Sequence, residues 1–224
     1  MLGYTKEEIS QSIVSRYLRR SRSKNPDHKK RQSWITFLRN HRHAISAMDL
    51  FVVPTVNFTT VYVFFIIEHV KRKIIHFNIT RHPTAQWVMQ QLRNAFPFDS
   101  APQYLIFDRD KIFSSQVKQL IKNMDIEPKV ISYKAPWQNG VAERWILSAR
   151  VDLINHIIVL SEEHLRQLLK KYINYYNNDR CHLSLARNTP KGRSVQHKPS
   201  ASSKIIPIPG LGGLQHKYEW QKAA

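Results

Sequence analysis

Three segments after residue 43 carry the hydrophobic pattern of β-strands. One carboxylate, Asp49, interrupts the first segment, which is otherwise apolar and rich in strand-forming residues. The second segment is almost wholly apolar, as expected for a strand covered on both faces of a sheet, and the third alternates in polarity. Because a short charged turn joins the second to the third, the pattern predicts an antiparallel meander. The predicted strands span residues 44–53, 58–67 and 74–80.

Helical and strand patterns then alternate along the chain. Ser161 is a candidate N-cap for the last helix, because two glutamates suited to a positive helix end follow it. The predicted helices span 84–96, 114–124 and 140–159, with one more after Ser161, and the predicted strands span 104–107 and 128–132. This order predicts an α/β fold, a mixed five-stranded sheet flanked by helices. From residue 179 the chain is basic and rich in Pro and Gly, which predicts little regular structure.

The first 43 residues form a separate basic segment, with 11 Lys or Arg against three acidic residues. Periodic apolar positions predict a helix over residues 6–20. Pro26 and the polar, basic residues around it predict a linker over 21–31, followed by a short helix or an extended lead-in over 33–41. The predicted domains are a basic N-terminal segment, an α/β core and a basic C-terminal tail, at residues 1–43, 44–190 and 191–224.

Charge narrows the class of partner. The chain has 35 Lys or Arg and 16 Asp or Glu, a net charge of +19, whereas soluble designed domains carry a magnitude of about 2 to 8. Such an excess indicates a polyanionic partner, usually nucleic acid. No apolar run approaches the roughly 20 residues that span a bilayer, no signal peptide is recognisable, and the single cysteine excludes an intramolecular disulfide. We therefore expect a soluble cytoplasmic protein, associated with the nucleoid and without a membrane partner.

Three carboxylates occupy positions that suit a metal site. Asp49 lies in an apolar strand, where an unpaired charge is costly, Asp108 ends a predicted strand, and Glu143 lies in the first turn of a long helix. Taken singly, each has a structural alternative: a local cap or salt bridge for Asp49, a turn residue for Asp108 and a helix-dipole residue for Glu143. Central antiparallel strands that place Asp49 beside Asp108, with the helix across both, would instead gather oxygen ligands for two Mg²⁺ or Mn²⁺ ions.

The short sequence motifs around these carboxylates resemble those of a known family. Asp108 lies in FDRD at 107–110, Glu143 lies in PWQNGVAER at 136–144, and the two are 35 positions apart. This arrangement is similar to the retroviral-integrase-type core of bacterial insertion-sequence transposases, whose second Asp and Glu are separated by about 35 positions. The segment after the core also resembles the family, through YYN at 175–177, Arg180, HLSL at 182–185 and Pro190. The resemblance runs from about residue 33 to 220 and is strongest over 44–190.

The resemblance implies a ribonuclease-H-like fold and a function in DNA transposition. Asp49 and Asp108 would bind both metal ions and Glu143 would complete the second site, with Asp110 as the alternative to Asp108. Bound water would cut a DNA end, and the freed 3′-hydroxyl would attack target DNA, within an assembly of at least two copies. The residues expected to contact DNA are Arg109, Lys134, Trp137, Gln138, Asn139, Arg144 and Arg150. Packing in the protein interior is the alternative explanation for Trp137.

Two other functions remain open from the sequence. A decayed or truncated transposase copy that only binds DNA would share the charge and the fold. A ribonuclease-H-type nuclease would share the carboxylates, although the loop before Glu143 argues against it. Lys111 and the triplet RVD at 150–152 depart from the family pattern. The sequence ISQSIVSRYL at 9–18 resembles the recognition helix of a helix-turn-helix or is a generic basic helix, so the chain resembles the C-terminal part of a longer transposase.

Overall fold

The computed structural model describes residues 26–97, 100–194 and 196–221, and the chain divides into two compact units after Arg42. The first unit contains helix α1, Pro26–His41. The linker predicted over 21–31 is therefore wrong from Pro26 onward, because a proline is tolerated in the first helical turn, where its missing N–H has no partner to lose. The helical alternative for 33–41 is confirmed. The helix predicted over 6–20 lies outside the described residues.

A mixed sheet organises the second unit, as predicted. Its strands are β1 Ile45–Pro54, β2 Thr60–Glu68, β3 Ile74–Thr80, β4 Tyr104–Phe107 and β5 Glu127–Val130. The strand order is β3-β2-β1-β4-β5, with antiparallel pairing of β1 to β2 and of β2 to β3. The pairs β1–β4 and β4–β5 are parallel, so the expectation that Asp49 and Asp108 lie on antiparallel strands is wrong. A helical crossover before β4 returns the chain in the direction of β1.

Four helices flank the sheet. They are α2 Ala85–Ala95, α3 Ser115–Asn123, α4 Gly140–Asp152 and α5 Glu162–Asn178. Ser161 caps α5 as predicted, because its hydroxyl accepts a hydrogen bond from the backbone N–H of His164 at 3.1 Å. The helix predicted over 140–159 ends early, at Asp152. Residues 153–159 do not continue α4. The carbonyl of Val159 instead accepts a 2.7 Å hydrogen bond from Val56 N in the β1–β2 turn.

The two faces of the sheet pack against different helices. Alternation along β1 directs Met48 towards α2 and α3, and directs Asp49 and Phe51 to the opposite face. On that opposite face Trp145 of α4, 1% exposed, lies 5.9 Å from the ring of Phe51 and 4.1 Å from the ring of Phe65. This aromatic contact sets α4 against the middle of β1 and β2, and so determines where the first turn of α4 lies.

A β-hairpin follows the core, in a region predicted to have little regular structure. Strand β6, Lys204–Gly210, pairs antiparallel with β7, Gln215–Gln221. The prediction is wrong for these residues because two prolines in β6 conceal the strand pattern, although proline is tolerated in a strand that has an unpaired edge. The amide of Gln215 donates a 3.3 Å hydrogen bond to the carbonyl of Asp152 and so attaches the hairpin to the end of α4.

The residues that the structure describes contain no helix that could cross a membrane. None of their helices combines the length and the apolar character that a bilayer span requires.

Candidate active site

Asp49 lies in the middle of β1, on the face that α4 covers. Its side chain is 7% exposed and accepts two hydrogen bonds, from its neighbour Leu50 N at 2.7 Å and from Asn139 Nδ2 at 3.1 Å. Neither partner carries a charge, and the described residues place no Lys or Arg in a salt bridge with this carboxylate. A buried carboxylate with only neutral donors is costly, so this arrangement favours a cation that the protein itself does not supply.

Asp108 lies directly after β4, beside Asp49. Ala47 is opposite Ile106 in the parallel β1–β4 register, so two further residues along each strand bring the two aspartates side by side. The carboxylate of Asp108 accepts a 2.9 Å hydrogen bond from the backbone N–H of Asp110, which closes a local turn and orients the side chain. Asp110 is exposed, and its own carboxylate accepts from Ile112 N at 3.0 Å. Burial therefore favours Asp108 over Asp110 as the second ligand.

Glu143 enters the site from the first turn of α4. The loop before this helix forms a short 3₁₀ turn, Pro136–Asn139, whose last residue reaches β1 through both the side chain of Asp49 and the carbonyl of Met48. Since Asn139 precedes α4 directly, its hydrogen bonds hold the start of the helix at the level of Asp49. The carboxylate of Glu143 consequently lies on an exposed turn from which its charge acts on Asp49 and at which the charge of Asp108 acts on it, a position also favoured by the positive end of the helix.

Burial and neighbouring charges raise the pKa of all three carboxylates. Burial raises the pKa of Asp49 to about 7, against a hydrogen bond from Leu50 that lowers it, and the charges of Asp108 and Glu143 raise it further. Burial and the charge of Asp110 raise the pKa of Asp108, against the lowering effect of its backbone hydrogen bond. Partial burial and the charge of Asp108 raise the pKa of Glu143. All three sites therefore disfavour negative charge in the absence of a cation.

The donor set fits a hard divalent cation, although the side chains are not gathered around one point. Within residues 26–97, 100–194 and 196–221, no three His, Cys, Asp or Glu side chains are grouped closely enough to hold a metal ion. Asp49 is held by the hydrogen bond from Asn139. The carbonyl oxygen Oδ1 of Asn139 is itself buried without a hydrogen-bond partner. Carboxylate oxygens and one unsatisfied amide oxygen are donors that suit Mg²⁺ or Mn²⁺.

The residues expected to contact DNA divide into exposed and buried sets. Lys134 and Arg144 are exposed, and Trp137 is 45% exposed beside them in sequence. Arg109 is exposed but donates through Nε to the carbonyl of Ile131 at 2.9 Å, so its remaining nitrogens face outward from a fixed stem. Arg150 is half-buried and donates to the carbonyl of Val52 at 3.1 Å, which gives it a role in holding α4 against β1.

Gln138 and Asn139 are not available to DNA in this structure. They are 5% and 2% exposed, and Gln138 Oε1 accepts a 2.6 Å hydrogen bond from Ser132 N. Their amides therefore shape the loop and position Asp49. Their contact with DNA stays a prediction, and the loop motif did not reveal which strand their amides meet.

A second polar cluster at the far end of α4 escaped the sequence analysis. Asp152 accepts hydrogen bonds from Tyr172 OH at 3.0 Å and from Arg180 Nε at 2.9 Å. Tyr172 and Arg180 thus join α5 and the residues after it to the end of α4, whereas Asn177 of the YYN motif exchanges hydrogen bonds with the backbone of Ile74 on β3. The signal available in the sequence was the departure at RVD, whose acidic residue, Asp152, forms this ion pair.

Part of the chain matches a known domain by sequence. A sequence profile of the integrase core domain matches residues 124–190, which include the loop before α4 and the segment after it. No curated protein sequence shows a significant match to the chain.

Solved structures of integrases and a transposase share the fold. A chain of the simian T-cell lymphotropic virus intasome has a TM-score of 0.55 at 14% identity, covering 80% of this chain and 66% of that one. The HTLV-2 integrase catalytic core domain in complex with magnesium has a TM-score of 0.53 at 12% identity, covering 66% and 94%. The catalytic domain of Mos1 mariner transposase has a TM-score of 0.55 at 12% identity, covering 65% and 79%. The predicted ribonuclease-H-like sheet with flanking helices is confirmed, as in integrase catalytic cores.

Proposed function

We propose that this chain is a transposase of the bacterial insertion-sequence type, which cuts and joins DNA with two Mg²⁺ or Mn²⁺ ions held by Asp49, Asp108 and Glu143. One observation carries the proposal: the three carboxylates lie on β1, directly after β4 and in the first turn of α4, and burial, together with the charges of Asp108 and Glu143, raises the pKa of Asp49 to about 7. The integrase-core match over 124–190 and the shared fold support a DNA integration or transposition function. The magnesium reported for the HTLV-2 core supports the metal.

The chain's own residues would prepare the site for the ions. Asp49 and Asp108 would bind both ions and Glu143 would complete the second ligand set. When bound, the ions would supply Lewis acidity to the attacking and leaving oxygens of a phosphodiester. Asp108 is held ready by Asp110 N, and Asn139 holds Asp49 in a neutral hydrogen bond that a cation would replace or share. The flexible stem of Glu143, on an exposed turn, allows its carboxylate to move towards the aspartates.

Double-stranded DNA is the proposed substrate, as element ends and as target. The net charge of +19 supports it, as do exposed Arg109 and Lys134 on the loops that follow β4 and β5, and exposed Arg144 next to Glu143 on α4. Trp137 is exposed enough on the loop that follows β5 to contact a DNA end. Because two element ends must be processed together, we also propose an assembly of at least two copies that acts on the nucleoid in the cytoplasm.

Single-residue variants of the full chain test the catalytic assignment. The substrate is a duplex copied from the DNA that flanks the gene, and nicking and strand transfer are measured with Mg²⁺, with Mn²⁺ and with EDTA. Asp49→Asn, Asp108→Asn and Glu143→Gln should each reduce metal-dependent product by about 100-fold or more, since even partners of metal ligands contribute 10- to 100-fold. Asp125→Asn, at an exposed position outside the site, removes the same charge and should leave the rate unchanged. Full activity in all three ligand variants would contradict the assignment.

A DNA-binding protein without catalysis is the second candidate. The specific observation in its favour is that the carboxylates of the described residues are not gathered into a ligand group, while Asp49 is already hydrogen-bonded to Asn139. The same duplex separates the two functions. Binding without any metal-dependent nicking by the wild-type chain would support this candidate, whereas nicking that depends on the three carboxylates would exclude it.

A further inference from the structure

A groove outside the proposed active site lies between the β6–β7 hairpin and the segment 186–196. Its volume is about 440 Å³, and none of the three proposed metal ligands lines it. The lining includes two arginines and two aromatic residues, together with an isoleucine and a glutamate: Arg187, Arg193, Tyr218, Trp220, Ile205 and Glu219. Every one of these residues belongs to the segment that follows the strand-and-helix core, so the groove is a separate surface feature.

The groove carries uncompensated positive charge. Arg187 and Arg193 are exposed, and in the described part of the chain neither forms a salt bridge. The only carboxylate in the lining, Glu219, already accepts a 2.7 Å hydrogen bond from Lys217 Nζ. An anionic ligand would therefore meet two guanidinium groups, each able to bind a phosphate through two nitrogens, with little opposing charge.

The backbone that presents the arginines is held in an unusual conformation. Ala186 and Arg187 are consecutive left-handed residues, with φ of 52° and 64°. The turn is closed by Arg187 N, which donates to the carbonyl of His182 at 2.9 Å, and Asn188 Oδ1 accepts from Arg193 N at 2.8 Å. Left-handed non-glycine residues cost on the order of 1 kcal/mol each, and such strain concentrates at binding sites. The hydrogen bonds place both arginines on one rigid loop.

Aromatic and aliphatic side chains form the other wall. Tyr218 and Trp220 lie two residues apart on β7 and so face the same side of the hairpin, with Ile205 opposite Trp220. Tyr218 is 59% and Ile205 is 58% exposed, although both are large and apolar. Trp220 is fixed by a 3.4 Å hydrogen bond from Nε1 to the carbonyl of Gln196. An exposed aromatic ring beside unpaired arginines is the combination by which proteins bind unpaired bases and their backbone.

We propose that this groove binds a single DNA strand, with phosphates at Arg187 and Arg193 and one base stacked on Tyr218. A single strand is favoured over duplex because bases within a duplex have no free face to stack on the ring. The groove would hold an unpaired strand while the carboxylate site processes DNA elsewhere on the same unit. The proposal rests on the DNA substrate of the proposed function but not on its catalysis.

Anisotropy of a labelled oligothymidine, measured on the full chain in EDTA, tests the groove without the metal site. Tyr218→Ala should weaken binding roughly tenfold, whereas Tyr218→Phe keeps the ring and should bind within about twofold of wild type. The double variant Arg187→Ala with Arg193→Ala should reduce the salt dependence of log K by about 1.4, at roughly 0.7 for each phosphate contact. Lys198→Ala removes a nearby exposed charge that does not line the groove, and serves as the matched control.

Each outcome decides the proposal. Equal binding by Tyr218→Ala and Tyr218→Phe would overturn the stacked base, and groove-arginine variants no weaker than Lys198→Ala would overturn the phosphate contacts. Polyglutamate that binds as tightly as the oligonucleotide would show a general polyanion surface instead. Thermal unfolding of each variant at the wild-type temperature verifies that the hairpin is folded. Asp49→Asn should bind the oligonucleotide normally, so loss of cleavage in that variant and loss of groove binding are distinguishable.

Discussion

Replacing Asp49 with asparagine should stabilise the metal-free protein at neutral and alkaline pH, although it removes a proposed metal ligand. Burial raises the pKa of Asp49 from 3.8 to about 7, so the folded chain binds this proton more tightly than the unfolded chain does. The stability that this proton contributes is complete below the unfolded pKa and is lost as the pH rises through the folded pKa. An asparagine does not titrate and carries no such loss.

The magnitude follows from the two pKa values and the two hydrogen bonds. At about 1.4 kcal/mol for each pH unit, the rise from 3.8 to about 7 corresponds to a loss of about 4 kcal/mol between acid and neutral pH. The carboxamide offers one acceptor oxygen where the carboxylate uses two, for Leu50 N and Asn139 Nδ2, and the lost hydrogen bond costs about 1 kcal/mol. Asp49→Asn should therefore be more stable than wild type by about 3 kcal/mol above neutral pH.

Urea unfolding in EDTA at about pH 8 compares the two proteins directly, and wild type should lose about 3 kcal/mol between about pH 5 and about pH 8 that Asp49→Asn keeps. Asp125→Asn, which removes an exposed carboxylate, should keep the pH dependence of wild type. Mg²⁺ should then stabilise wild type by about 2.7 kcal/mol at a hundredfold excess over its dissociation constant, and should stabilise Asp49→Asn far less. If wild type and Asp49→Asn lose stability equally between the two pH values, Asp49 is not the uncompensated buried carboxylate inferred here.

Four further substitutions probe the scaffold. Trp145→Ala should lower the free energy of unfolding by about 3–5 kcal/mol, because the ring is 1% exposed and packs on Phe51 and Phe65 of the sheet. Urea unfolding measures this loss. Asp152→Ala should cost about 2 kcal/mol by leaving Arg180 without its carboxylate, and a second substitution, Arg180→Ala, should add little in the same assay. Burial lowers the pKa of His182 to about 4. The stability that the neutral ring contributes is therefore present above about pH 6.5 and is lost as the pH falls through about 4. The stability of His182→Gln should decline less steeply in acid, as measured by circular dichroism.

Local patterns determined most of the site's composition. Asp49 stood out because one carboxylate in an apolar strand is visible without any partner, and Asp108 and Glu143 were marked by the strand end and the loop that precede them. Strand alternation and helical spacing are short-range properties, so β3 and β4 were predicted with the bounds that the structure has. The three candidate carboxylates could therefore be identified before the fold was known.

Long-range contacts decided the rest. The parallel pairing of β1 with β4 joins strands that are not consecutive, and no local pattern specifies that neighbour. For the same reason, the sequence did not predict the Asn139–Asp49 hydrogen bond, the early end of α4 or the attachment of the β6–β7 hairpin. The sequence by itself determined which side chains are the candidates for the chemistry. Only tertiary structure decided that Gln138 and Asn139 are buried supports, since burial depends on what packs against a residue rather than on its own polarity.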